Sequence, residues 1–217
     1  MKVSKGDIFE RLFVNEPELN LHIEQEAGSQ VKLYVINFEI SGYRNTEISN
    51  KISVEQLGEG CETEIYALAY LKGKQAVTTE THVKHAVGGG SSNQLIKFVL
   101  DDEARGRFIG DLKINQDAQK TEAHQTNRNL LLSETAEMRT QPQLEIYADD
   151  VQATHGASTG QLDESALFYM QQRGIDKQKA RQLLVGAFMK EVLDKIPDSL
   201  MPDALIPLLD AIDGVVE

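Results

Sequence analysis

The feature that most constrains the fold is a succession of short runs in which apolar and polar residues alternate, repeated through the first 160 positions. The runs are Val31–Ile40, Glu47–Val54, Thr63–Leu71, Gln94–Leu100 and Gly106–Ile114. Alternation with a period of two is typical of β-strands, and glycine or Asn/Asp turn residues separate the runs. Because no convincing amphipathic helix interrupts them, the pattern predicts a sandwich, a barrel or a β-solenoid.

The spacing of these runs carries some information about which of the three folds forms. Strands that recur about every ten residues would give a two-strand coil of about twenty residues. Such a coil suits a solenoid, whose turns stack to bury a continuous core. The spacing alone does not exclude a sandwich, and the sequence has no strict repeat.

The hydrophobic period becomes helical after Gly160. Asp163 can cap a helix that Gly174 ends, and Asp176 can cap a second helix. The apolar residues of the second helix follow the i, i+3, i+4 spacing of one stripe, namely Ala180, Leu183, Leu184, Ala187, Phe188 and Val192. A third helix is predicted from Pro202 to Ile212. We therefore divide the chain into a β region, 1–160, and a helical region, 161–217.

Charge and composition exclude several classes of partner. The formal net charge is −12, so an acidic surface would repel both nucleic-acid phosphates and an anionic membrane. No apolar run approaches the ~20 residues that span a bilayer, and the start has no signal-peptide core. We expect a soluble, cytoplasmic protein. Cys61 is the single cysteine, which allows neither an internal disulfide nor the four thiolates that commonly hold an iron–sulfur cluster.

Motifs for enzymatic chemistry are absent from the sequence. There is no Gly-x-Ser-x-Gly elbow and no His-Glu-x-x-His pattern. The glycine run Val87–Asn93 lacks the lysine and hydroxyl residue of a phosphate-binding loop. Cys61 has no flanking signature of a thiol nucleophile and is interpreted as a small core residue. These absences argue against nucleotide hydrolysis, these forms of hydrolytic catalysis and thiol catalysis, and we expect the chain not to be an enzyme.

The five histidines differ in their setting. His82 and His85 are three residues apart, so on a strand they would face opposite sides and could not share a metal; we interpret both as surface or turn residues. His124 lies in a polar run that predicts a structural ladder. His155 follows the last clear strand run and precedes the first predicted helix, a common place for functional side chains. A carboxylate such as Asp149 or Asp150 could orient its ring.

Four longer sequence segments resemble those of one known family. They are Gln119–Leu132, Pro142–Asp150, Thr154–Ala157 and Gly160–Asp163, and the similarity extends over about Lys74 to Glu191. The chain resembles the SufB/SufD family of iron–sulfur cluster assembly scaffolds, and its ending is similar to the SufD branch. This resemblance implies a right-handed parallel β-helix, followed by a small C-terminal α-helical region. It also implies an N-terminal helical domain, which these residues do not show, so we interpret the sequence as a short form or a fragment.

The resemblance implies partners and site residues as well. The partners would be a SufB-type paralogue or a second copy, paired through the final coils around Gln143 to Asp150, and a SufC-type ATPase. The ATPase would dock on the helices over Asp163–Lys195, with Leu184, Ala187, Phe188 and Glu191 as candidates, so that Phe188→Asp is expected to abolish docking. His155 would contact metal or cluster. A cysteine is usual two residues earlier, where this chain has Ala153.

No cofactor is expected to be held stably by this chain alone; iron or an iron–sulfur cluster would bind transiently at a subunit interface.

Two other functions stay open on the sequence. A solenoid enzyme acting on polysaccharide would need clustered carboxylates, for which the pairs Asp101-Asp102 and Asp149-Asp150 are available, although tryptophan for sugar stacking is absent. Sugar cleavage would reveal it. A plain interaction module outside cluster assembly would fail to bind a SufC-type ATPase.

Overall fold

The strands lie side by side in two parallel sheets. In this computed structural model, which describes residues 1–38, 47–205 and 208, every strand pair among those residues is parallel. The strands are β1 Lys2–Val3, β2 Ile8–Val14, β3 Glu18–Gln25, β4 Gln30–Phe38, β5 Glu47–Gln56, β6 Glu62–Leu71, β7 Ala76–His85, β8 Ser91–Leu100, β9 Arg105–Ile114, β10 Thr121–Leu131, β11 Glu137–Ile146 and β12 Val151–Gly160.

Odd-numbered and even-numbered strands form separate sheets. Sheet A has the order β1-β3-β5-β7-β9-β11, and sheet B has the order β2-β4-β6-β8-β10-β12. Parallel neighbours need a crossover connection, and here the crossover of each sheet is a strand of the other sheet. The chain is therefore a β-solenoid with one strand of each sheet per turn. The expectation of a parallel β-solenoid is confirmed, and a sandwich or barrel is not formed.

The length of one turn differs from the prediction of about twenty residues. His124 and Thr154, which occupy equivalent places on successive turns, are 30 residues apart. The prediction was wrong because it set the strand repeat at about ten residues, which is the length of one strand alone. Turns of five and four residues follow β5 and β6, so that β5, β6 and β7 begin at Glu47, Glu62 and Ala76.

The inward-facing side chains of both sheets form the main hydrophobic core. Every second residue of a strand points inward, so the core is built from alternate positions of each strand. Its largest fully buried apolar members include Ile23, Leu33, Ile52, Ile65, Ile96, Phe98, Leu100 and Phe108. Cys61 is buried in a turn, where its thiol donates to the carbonyls of Glu26 and Gly58, both at 3.1 Å. The interpretation of Cys61 as a buried core residue is confirmed.

Two α-helices follow the solenoid, α1 Glu164–Gln172 and α2 Lys177–Leu193. Asp163 caps α1 by accepting from the backbone N–H groups of the first turn, and Asp176 caps α2 in the same way. Gly174 has φ of 86°, a left-handed conformation that ends α1. The predicted caps are confirmed. Among the described residues, no helix is long and apolar enough to cross a membrane.

The outer face of sheet B is covered by α2, and the two form a second hydrophobic core. The buried residues of α2 are Ala180, Val185, Gly186, Met189, Val192 and Leu193. The predicted stripe was partly wrong, because Ala187 is exposed and Leu184 is only half-buried. Short 3-10 turns follow at Asp198–Leu200 and Asp203–Leu205. Most of the helix predicted over Pro202 to Ile212 lies outside the described residues, and the boundary between 1–160 and 161–217 stays a prediction.

Candidate functional site

The solenoid ends in two edge strands. In the described part of the chain, β11 pairs only with β9 and β12 pairs only with β10. No further turn covers the last one, so most of β12 is exposed, and Ile146 and Tyr147 at the end of β11 are 41% and 59% exposed. One side of each strand therefore presents unpaired backbone donors and acceptors, which can pair with another strand.

His155 lies within β12, not after the last strand as the sequence analysis expected. The strand was missed because Val151–Gly160 has almost no apolar alternation, as suits a strand that no further turn covers. In the parallel register His155 stands beside Gln125, and Gln125 stands beside Gln94. Ala153, two residues earlier, packs against the main core. Alternate residues of a strand share a face, so Ala153 and His155 both lie on the inward side of β12. His155 is thus the exposed last member of an inward-facing column.

Asp149 and Asp150 do not orient the ring of His155. Both precede β12, and Asp150 donates its backbone N–H to Gln119 Oε1 at 2.9 Å. Five residues of extended strand separate Asp150 from His155, a distance of roughly 16 Å. The sequence interpretation was wrong because it assumed a turn here, whereas the backbone is extended. His155 makes no hydrogen bond or ion pair with any residue that the structure describes.

Beneath β12 the inward-facing row of β10 is mostly polar. Asn127 and Asn129 on β10 are buried and exchange side-chain hydrogen bonds at 3.0 and 2.8 Å. Thr140 on sheet A donates to Asn127 Oδ1 at 2.9 Å, which joins the two sheets. Asn129 also donates upward to Thr159 Oγ1 of β12 at 3.1 Å. The asparagines therefore tie the last strand to the turn below it.

A second polar column runs through Gln94 and Gln125. Gln125 is 1% exposed, and its Nε2 lies 3.5 Å from Gln94 Oε1, a long hydrogen bond. Gln125 Oε1 and Gln94 Nε2 have no hydrogen-bond partner. Across the interior, a Cβ on Gly110 would lie 2.5 Å from Gln125 Nε2, so only glycine leaves room for this amide. The column thus holds an unpaired buried carbonyl one strand below His155.

The remaining histidines occupy structural positions. His82 faces outward, 3.5 Å from Asp111 Oδ2, while His85 is fully buried and its Nε2 lies 2.8 Å from Ser92 Oγ. The prediction of opposite faces is confirmed, but the interpretation of His85 as a surface residue was wrong. Burial lowers the pKa of His85 to about 4. His124 Nδ1 lies 2.8 Å from Thr154 Oγ1 on the outer face, which agrees with the predicted ladder.

The carboxylate pairs proposed for sugar chemistry do not converge. Asp101 and Asp102 lie in the turn from β8 to β9, where Asp102 has φ of 55° and accepts from the backbone N–H of Gly73 at 3.0 Å. Asp149 and Asp150 lie in the turn from β11 to β12, which runs between the sheets in the opposite direction. Among the described residues, no three His, Cys, Asp or Glu side chains are grouped closely enough to hold a metal ion.

A buried lysine anchors α2 to sheet B. The side chain of Lys97 is 2% exposed, although it belongs to the outward-facing row of β8. Its ammonium donates to the backbone carbonyl of Phe188 at 2.8 Å and to the carboxylate of Glu191, and it lies 4.2 Å from the centre of the Phe188 ring. Burial lowers the pKa of Lys97, while the hydrogen bond from Lys97 lowers the pKa of Glu191.

The four residues predicted to dock an ATPase therefore differ in availability. Phe188 and Glu191 already contact Lys97, and Glu191 also pairs with Arg128 at 3.2 Å. Ala187 is exposed and Leu184 is half-buried. On the neighbouring helix α1, Phe168 and Tyr169 are 63% and 60% exposed. Ala187 and the aromatic residues of α1 are thus exposed apolar side chains of the helices, whereas Phe188 and Glu191 contact Lys97 and are only partly available.

Sequence reasoning missed Lys97 and Gln125. A single lysine within the apolar run Gln94–Leu100 could have indicated a buried charge. Apolar residues occupy both faces of that strand, so both faces are expected to be covered. Gln125 gives no such signal, because its importance depends on the register that places it beside His155.

Comparison with known proteins adds independent information. The family model described as the SufBD core domain of SUF system FeS cluster assembly matches residues 19–188. An iron–sulfur cluster assembly SufBD family protein of Synechocystis is 34% identical over 88% of this chain and 45% of its own length. SufD of Escherichia coli is 38% identical over 70% of this chain and 36% of its own length. The chloroplastic protein ABCI7 of Arabidopsis thaliana is 33% identical over 84% of this chain and 40% of its own length. This chain thus spans less than half the length of these relatives.

Proposed function

The chain belongs to the SufBD family of SUF iron–sulfur cluster assembly proteins, and we propose from this premise that it acts as a non-catalytic scaffold subunit. The observation that carries the proposal is the uncovered last turn. It combines free strand edges on β11 and β12 with one exposed, inward-facing histidine, His155. A scaffold needs a surface that a second subunit can close, and this end of the solenoid offers one.

The second subunit would be a SufB-type paralogue or a second copy of the chain. Pairing would use the free backbone groups of β11 and β12, because strand addition to an open edge satisfies them. The exposed Ile146 and Tyr147 would add apolar contact beside the edge of β11. This agrees with the sequence-based expectation that the segment from Gln143 to Asp150 supplies dimer contacts.

Iron or an iron–sulfur cluster would be the cargo of this interface. A neutral imidazole is a common metal ligand, so His155 would supply one donor. The thiolates that usually complete such a site would come from the partner, since Ala153 stands where the family usually has cysteine and Cys61 is buried in a turn. We propose the cytoplasm as its compartment, or the corresponding soluble space of an organelle, as the chloroplastic relative suggests.

A SufC-type ATPase would dock on the C-terminal helices. The exposed aromatic residues Phe168 and Tyr169, together with Ala187, form the free apolar surface there. The anchor of Lys97 to α2 would transmit movement of the helices to sheet B, because it joins β8 directly to Phe188 and Glu191.

The test of the scaffold role is co-expression of this chain with SufB-type and SufC-type proteins of the same organism, followed by size-exclusion chromatography with light scattering. We expect one complex that contains all three. In that complex His155→Ala should lower bound iron and sulfide by about tenfold or more, as loss of a ligand does, without preventing assembly.

His124→Ala is the matched control, because His124 lies on the neighbouring strand but faces outward. It should leave cluster loading unchanged. A chain that ignores both partners would contradict the scaffold role. Equal loading in wild type and His155→Ala would contradict the role of His155 alone.

A further inference from the structure

The inward column that ends at His155 contains one hydrogen bond between neighbouring strands. Gln125 on β10 donates its Nε2–H to Gln94 Oε1 on β8, so the later strand donates to the earlier one. Parallel strands in register stack identical amides in such ladders, at about 4.8 Å per strand. The next member of the column is His155 on β12, directly beside Gln125 in the register.

The column is incomplete at its last step. Gln125 Oε1 is buried and has no partner, and a buried carbonyl without a hydrogen bond destabilises the folded state. His155, one strand above it, makes no hydrogen bond within the described residues. Two inward columns away, on the same strand pair, Asn129 bonds to Thr159 Oγ1 at 3.1 Å. The contact between β10 and β12 that the asparagine column makes is therefore open in the glutamine column.

We propose that Gln125 is the positioning residue of His155: its Oε1 accepts a hydrogen bond from one ring N–H of His155. The bond would have the same direction as the one from Gln125 to Gln94, in which the later strand donates to the earlier one. It also fixes the tautomer, because a neutral imidazole has one N–H, and the other nitrogen is then the free acceptor that a metal needs. The role of the bond in metal binding rests on the proposed function, whereas the existence of the bond does not.

The surroundings hold the amide of Gln125 in place for this role. Sheet A approaches it through Gly110, and a Cβ there would lie 2.5 Å from Nε2 and 2.6 Å from Oε1. On its other side Gln94 holds Nε2, which leaves Oε1 as the end of the amide without a partner. His155 is exposed, with no strand above it in the described chain, so its ring is free to turn toward that oxygen.

The experiment is nitrogen NMR of the histidine rings in the ¹⁵N-labelled full chain. Spectra are recorded near pH 8, above the ordinary histidine pKa of about 6.5, where the rings are neutral. Protonated and unprotonated ring nitrogens resonate far apart, and the signals lost in His155→Asn identify those of His155. We expect the tautomer ratio of His155 to change by about fivefold or more in Gln125→Leu, as loss of one hydrogen bond of ordinary strength predicts.

Two further variants make the result specific. Gly110→Ala displaces the same amide without removing it and should change the ratio in the same direction, which also serves if Gln125→Leu folds poorly. Gln56→Leu removes another buried interior amide, which donates to Thr63 Oγ1 at 2.8 Å far from His155, and should leave the ratio as in wild type. An unchanged ratio in both Gln125→Leu and Gly110→Ala would overturn the inference.

Cluster loading of the complex separates this inference from the proposed function. If His155→Ala lowers loading but Gln125→Leu changes neither loading nor the tautomer ratio, the scaffold role stands and the positioning role is rejected. If Gln125→Leu changes the tautomer ratio but His155→Ala loads normally, the hydrogen bond stands and the cluster role of His155 is rejected.

Discussion

At the scale of single residues, interior polar contacts repeat from one turn to the next with different side chains. Gln56 Nε2 donates to Thr63 Oγ1, seven residues later, at 2.8 Å. On the next turn His85 Nε2 lies 2.8 Å from Ser92 Oγ, again seven residues later. Gln56 and His85 are partners in the register of sheet A, so a histidine takes the place of a glutamine in one column. The position selects a buried polar group that reaches the opposite sheet, and more than one residue type satisfies it.

The low pKa of His85 predicts a specific pH dependence of stability. Burial depresses the pKa in the folded state to about 4, from an unfolded value of 6.5. Between these values the unfolded chain binds a proton and the folded chain does not. The stability associated with this group is therefore complete above pH 6.5 and is lost as the pH falls toward 4. The loss should reach about 3 kcal/mol, at 1.36 kcal/mol per pKa unit.

Urea unfolding at a series of pH values, on wild type and His85→Gln, measures this effect. The glutamine continues the column of Gln56 and does not titrate, so the variant should lose about 3 kcal/mol less than wild type between neutral pH and pH 4. His82→Gln changes an outward-facing histidine and should behave as wild type. The same pH profile in wild type and His85→Gln would show that His85 titrates normally.

At the scale of elements, α2 has an internal side and a free side. Lys97 holds the helix through a backbone carbonyl, a carboxylate and an aromatic ring at once. Phe188→Asp, which the sequence suggested as a docking test, would therefore alter this anchor as well as the surface. Ala187 is exposed and lies outside the buried side of α2, so it offers a cleaner test.

Ala187→Glu is expected to weaken binding of the SufC-type ATPase by about tenfold or more, because it places an unpaired charge in the proposed interface. Isothermal calorimetry measures the affinity, and circular dichroism should show an unchanged fold. Gln116→Glu adds the same charge at an exposed position in the turn between β9 and β10 and should bind normally. Wild-type affinity of Ala187→Glu would move the docking site away from this side of α2.

The elements also show what the sequence could and could not predict. Strands β4, β6 and β9 were predictable because their inward residues are apolar and their turns carry glycine. The caps Asp163 and Asp176 were predictable because capping is local. The buried side of α2 was assigned incorrectly in part, since several apolar residues lie on both sides of the helix and only the packing on sheet B decides between them.

At the scale of the whole molecule, the interior changes character along the solenoid axis. One column passes through Leu33 and Ile65 and continues as Gln94, Gln125 and His155. Such a column depends on the register between strands of successive turns. For that reason neither the 30-residue turn nor the pairing of Gln125 with His155 could be inferred from local sequence patterns. The site forms only when successive turns stack, whereas its histidine was recognisable from the sequence motif around it.

This change of character predicts a gradient of local stability. Amide hydrogen exchange, read by mass spectrometry, should be slowest in β4, β6 and β8, which have neighbours on both sides, and faster in the edge strands β1, β2, β11 and β12. Addition of the partner subunit should slow exchange in β11 and β12 by about tenfold or more, since edge pairing protects their backbone groups. The central strands provide the internal control. Unchanged exchange at both edges within an assembled complex would place the partner elsewhere.

The in-register stack also has a consequence for how such chains can vary in length. Because each turn repeats the same backbone path after about 30 residues, duplication or deletion of one whole turn would preserve every column on either side of the change. A histidine at the position of His155 would stay terminal only if turns were gained or lost before it. Evolution could therefore lengthen or shorten the body of the molecule while its working end stayed intact.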